Sequence, residues 1–128
     1  MTEQEQKRKG VVILGHGSRL ASGLEVVTQT VERYAQLHPD WRVEPAFLQL
    51  ASPGLEDAAK ALAAAGVLEV MVVPLFLSFG AHCANDMPDA VQVLREAYPH
   101  MTFRLTPPIG ADPLLCDIVE KRVQGMNG

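Results

Sequence analysis

Val11-Val12-Ile13-Leu14-Gly15-His16-Gly17-Ser18-Arg19 decides the fold of this chain. An apolar run rich in β-branched residues stops at a histidine held between two glycines. Such a run, closed by glycine, predicts a strand buried on both faces. Glycine on each side of the histidine lets the backbone turn sharply and leaves room for close approach. His16 therefore falls at the carboxyl end of a central strand, where open α/β sheets bind their ligands. A second apolar run, Glu69-Val70-Met71-Val72-Val73-Pro74-Leu75-Phe76-Leu77, is followed by Gly80-Ala81-His82. Two strand-end histidines point to one metal site.

Around these runs, strand and helix signals alternate, as in a parallel sheet covered on both faces. Strands are expected near 10–15, 42–48, 69–76 and 102–105. Pro45 marks the second as an edge strand, since proline cannot donate to the ladder. The third strand, apolar throughout, is expected to be covered on both faces. Helices are expected near 20–37, from Ser52-Pro53 to Gly66, 86–98, and after Asp112-Pro113. Serine and aspartate serve as caps and proline as the first helical residue. Pro88 then falls in the first turn of the third helix, and His82 in the loop 78–85 before it. The topology that fits is an open, flavodoxin-like parallel four-stranded sheet in the order 2-1-3-4, with helices on both faces. Its switch point lies between strands one and three, which end at His16 and His82.

The 128 residues suit one domain, expected over 10–124, with 1–9 a disordered lead-in and 125–128 a fraying tail. The start is polar, and no apolar run reaches the length of a membrane span, so the chain is read as cytoplasmic with no membrane partner. A net charge of −4 without a basic block disfavours nucleic-acid binding. Cys83 and Cys116 form no CxxC pair, which disfavours a zinc ribbon, a thioredoxin motif or a disulfide scaffold. Cys83, beside His82, is a thiol that could ligate a soft metal. Gly15-His16-Gly17-Ser18 lacks both the GxGxxG pattern and the P-loop lysine, so no nucleotide is implied.

Imidazole ligates cobalt, iron, nickel and zinc alike. Two histidines leave coordination positions open, as a catalytic or transfer site requires. His38 and His100 each neighbour a proline after a predicted helix. Both are read as surface residues at helix C-termini rather than ligands.

Taken in order, these segments resemble the small sirohydrochlorin chelatases of the class II chelatase group. The resemblance rests on Val12 to Arg19, on Ala46-Phe47-Leu48-Gln49, and on Pro74-Leu75-Phe76-Leu77 with Gly80-Ala81-His82 and Asp86-Met87-Pro88. Pro108-Ile109-Gly110-Ala111-Asp112-Pro113-Leu114-Leu115 completes it. It implies insertion of a divalent metal (cobalt, iron or nickel) into sirohydrochlorin, a tetrapyrrole rich in carboxylates. It also implies a homodimer with its site in a cleft, and His16 and His82 as metal ligands and catalytic residues. Ser18, Arg19, Gln49, Ser78, Gly80 and Ala81 are the expected substrate-binding residues.

Two positions depart from the family pattern. Gln49 stands where an acidic residue is common, and an amide accepts no proton at neutral pH. Cys83-Ala84-Asn85 stands where basic residues often follow the second histidine, leaving Arg19 as the nearby cation for substrate carboxylates. These departures motivate an alternative, a non-catalytic paralogue that binds metal or tetrapyrrole. In the catalytic reading, one or both of His16 and His82 accept protons as the macrocycle loses two.

Overall fold

A computed structural model describes residues 9–77, 80–110 and 112–126, with 80–85 described by backbone alone. Strands β1 (Lys9–Gly15), β2 (Arg42–Phe47), β3 (Glu69–Pro74) and β4 (Thr102–Leu105) form one parallel sheet in the order β2-β1-β3-β4. Helices α1 (Ala21–Leu37), α2 (Leu55–Ala64), α3 (Gly80–Ala97) and α4 (Leu114–Met126) follow the four strands in turn. The expected order 2-1-3-4 is the observed one. No helix among the described residues is long and apolar enough to cross a membrane.

Strand alternation sorts the core into two layers. Val12, Leu14, Val70, Val72 and Phe103 pack against Ala58, Ala59 and Leu62 of α2 and Met87, Val91 and Leu94 of α3. On the other face, Val11 and Ile13 meet Val27, Leu24 and Val31 of α1, together with Trp41 and Val43. Each fully buried aliphatic or aromatic side chain contributes about 1.5–3 kcal/mol, so the sheet centre holds the molecule together. Pro45 lies in β2, an edge strand, as its missing N–H requires.

Several boundaries differ from the sequence reading. β1 begins at Lys9, which pairs with Glu69 and lies over the Trp41 ring at 5.8 Å. α4 continues to Met126, inside the stretch read as a tail. α2 starts at Leu55 rather than at Pro53. The Ser52–Pro53 bond is cis, and the Asp57 carboxylate accepts the Gly54 N–H at 2.9 Å in place of a serine cap. α3 starts at Gly80, so Pro88 is interior and His82 belongs to the first helical turn, not to a loop. Proline was read as a start signal because it cannot donate an intrahelical bond, yet here the helix runs through it. Asp112 does open α4: its Oδ1 accepts the Leu114 N–H at 2.9 Å.

β3 is central, and its second face is covered only in part. Val73 packs against the cluster under α1, while Met71 remains 38% exposed, because among the described residues α1 packs chiefly on β2 and β1. None of the residues of α4 is buried.

Candidate metal site

The four chain segments that leave the carboxyl ends of the strands are zipped to one another. The Leu48 N–H donates to Gly15 O at 3.0 Å, and the Gln49 N–H to His16 O at 3.2 Å. The Leu75 N–H donates to Leu14 O at 2.8 Å. The Thr106 N–H reaches Val72 O at 3.0 Å, and the Gly110 N–H reaches Phe76 O at 3.0 Å. Parallel pairing thus continues past the strands and forms a floor of paired backbone.

Glycine is required where these segments cross. Gly17 has φ +100°, and a Cβ there would come within 1.7 Å of Gln49 O. A Cβ on Gly110 would come within 1.4 Å of Leu77 O. The histidine between Gly15 and Gly17 is the residue that leaves this floor. His16 is exposed, and its imidazole stacks on the ring of buried Phe76, with centroids 3.8 Å apart and planes 18° apart. An exposed imidazole is thereby held on a rigid support.

Of the expected site residues, the structure gathers His16, Ser18, Arg19 and Gln49 on two adjacent loops. The Ser18 hydroxyl accepts the Leu20 N–H at 3.0 Å and so turns the chain into α1. Arg19 is exposed and makes no hydrogen bond or ion pair among the described residues. Gln49 is exposed, with its backbone against the His16 loop. Gly80, Ala81 and His82 form the start of α3, whose strand β3 neighbours β1. Ser78 and the side chain of His82 lie outside the described residues. Among the described residues, no group of three or more His, Cys, Asp or Glu side chains gathers as a metal cage.

His38 is not a plain surface residue. It is half-buried, stacked on Trp41 at 4.0 Å, and its N–H closes α1 on the carbonyls of Tyr34 and Ala35. The structure also brings forward residues to which the sequence reading gave no site role. Leu20, Leu50, Leu77 and Ile109, each on a segment leaving a strand's carboxyl end, are exposed. Phe76, expected within the third strand, lies buried just past the end of β3. An apolar residue in a loop after a buried run was the available signal for this rim.

The profile of the CbiX family matches residues 10–126. The chain belongs to the CbiX family. The sirohydrochlorin cobaltochelatase of Methanosarcina acetivorans is 34% identical over 125 residues, covering 92% of this chain and 96% of that protein. The sirohydrochlorin ferrochelatase of Priestia megaterium is 30% identical over 127 residues, which take in 99% of this chain and 48% of that protein. The crystal structure of a CbiX protein from Marinobacter aquaeolei VT8 superposes with a TM-score of 0.80 at 29% identity, covering 92% of this chain and 96% of that one. This CbiX-family chain thus matches nearly the whole length of the archaeal relative and about half of the Priestia protein.

Proposed function

We propose that this chain is a sirohydrochlorin chelatase, inserting a divalent metal ion, cobalt or iron, into the macrocycle. The observation that carries this reading is the family match over 10–126, with an exposed histidine at the switch-point edge of the sheet. In this reading His16 and His82 hold the ion, which enters as substrate. Their remaining coordination positions go to water and then to the pyrrole nitrogens. As the metal enters, two pyrrole N–H protons must leave. With an amide at Gln49, the histidines are the acceptors at hand. Metal binding needs neutral imidazole, so insertion weakens as the medium becomes acidic.

The exposed Leu20, Leu50 and Leu77 suit the apolar body of a flat macrocycle, and Arg19 suits one of its carboxylates. Ser18, Gln49, Ser78, Gly80 and Ala81 complete the proposed substrate-binding set. We assign residues 10–124 to one domain, the protein to the cytoplasm, and its active form to a homodimer. Two copies together match the length of the Priestia ferrochelatase, of which one copy covers 48%.

The deciding experiment is an anaerobic absorbance assay with sirohydrochlorin and cobalt or iron. Spectral conversion faster than the protein-free rate supports the reading. Metal or tetrapyrrole binding with no acceleration would instead establish the carrier alternative.

A further inference from the structure

We propose that Gln49 sets the metal selectivity of this site: its neutral amide biases the site toward ions that seek imidazole nitrogen, such as cobalt, and against magnesium and manganese. This rests on the chelatase reading above and adds the residue that discriminates between ions. The placement of Gln49 is tightly specified. Its N–H donates to His16 O at 3.2 Å. Gly17 lies so close that a Cβ there would come within 1.7 Å of Gln49 O. The next residue, Leu50, turns the chain at a φ of 63°, in the left-handed region that leucine avoids. Such a backbone persists only where its surroundings hold it. Residue 49 is therefore fixed beside His16, and its side chain is exposed.

The neighbouring segments supply no free carboxylate in its place. Residues 16–20, 48–54, 75–85 and 106–113, which leave the carboxyl ends of the four strands, include a single acid, Asp112. Its Oδ1 is engaged at the start of α4, where it accepts the Leu114 N–H at 2.9 Å. Glu56 and Asp57 follow in the first turn of α2. Asp57 accepts the Gly54 N–H at 2.9 Å, and both acids line a groove between α2 and α3. Glu25 and Asp86 lie at least one turn inside α1 and α3. The charge left on the segments around His16 is that of Arg19, an exposed cation.

The donors at hand are thus imidazole and amide, both neutral when metal binds. Magnesium and manganese favour charged oxygen donors, and magnesium sheds its water reluctantly. One amide oxygen offers such an ion little more than the water it displaces, and Arg19 repels it. Cobalt gains from each nitrogen donor, because affinity at such sites rises from manganese toward copper along the first row. A carboxylate at position 49 would help every divalent ion, the hard ones most, and so narrow the difference. Selectivity is that difference of affinities. The amide lowers binding of all ions and widens the gap between them, so the site loads cobalt in an excess of magnesium.

The test is direct metal titration of the full chain without tetrapyrrole. Cobalt binding is followed by visible absorption, and manganese binding by electron paramagnetic resonance. In the unsubstituted chain a large excess of magnesium should change cobalt affinity by no more than about twofold. Displacement of cobalt by that excess would overturn the proposal. In Gln49→Glu, with circular dichroism unchanged, the ratio of cobalt to manganese affinity should fall at least about tenfold. Gln49→Ala, which also lacks a carboxylate, should keep the ratio at least as high as in the unsubstituted chain. A ratio that holds in Gln49→Glu, or that falls as far in Gln49→Ala, counts against Gln49 as the selector. Anaerobic insertion by the unsubstituted chain separates the two readings. If it inserts metal but the ratio holds in Gln49→Glu, selectivity by Gln49 fails and the chelatase reading stands. If it does not accelerate insertion but the ratio falls, the selective metal site stands and the chelatase reading fails.

Discussion

The His16 imidazole lies against the ring of Phe76, 3.8 Å between centroids and 18° from parallel. One partner is exposed and the other buried, so the contact ties a reactive side chain to the core. Aromatic pairs of this kind contribute about 0.5–1.5 kcal/mol beyond burial. Phe76→Leu keeps an apolar plug but loses the stack. Its expected effect is a roughly two- to tenfold loss in metal affinity, read by titration, with the fold intact. Phe76→Ala is expected to cost about 3–5 kcal/mol of stability, read in denaturant unfolding.

His16→Ala should abolish metal insertion while leaving the thermal melt nearly unchanged, because the side chain is exposed and contributes little to the core. His82→Ala should act alike on insertion. Near-normal insertion by the double variant would falsify the mechanism. His38→Ala is the contrast: insertion should be unaffected, while loss of the Trp41 stack should cost about 0.5–1.5 kcal/mol of stability.

Gly17→Ala should damage the site more than the core. The added methyl would sit 1.7 Å from Gln49 O at a φ of +100°, so the paired loops must separate. A strained left-handed residue costs about 1–3 kcal/mol. Insertion should fall at least about tenfold, while the helical circular dichroism persists.

The sheet order was legible because it rests on long signals. The apolar runs around Val12 and Val72, and Pro45 in an edge strand, each carry their own physical reason. His16 was legible as a strand-end residue for the same cause. Its support was not: Phe76 is remote in sequence, and the loops that bring it over are joined by backbone bonds that any residue type can make. The start of α3 was misjudged because Pro88 is a strong local signal that the helix overrides. The partly open face around Met71 could not be read either, since the apolar residues of β3 look the same in sequence whether or not a helix covers them.

Gln49→Glu tests what the amide does. The side chain is exposed and the backbone is fixed by the bond from its N–H to His16 O, so the substitution should leave stability within about 0.5 kcal/mol. A carboxylate beside His16 adds a hard ligand for the incoming ion and a proton acceptor that the amide lacks. Metal affinity at the exposed imidazole should rise, and the insertion rate should hold or increase. The anaerobic absorbance assay reads the rate, and titration with cobalt reads the affinity. A fall in rate of more than about tenfold, with unchanged metal binding, would show instead that the neutral amide is needed against the negatively charged macrocycle.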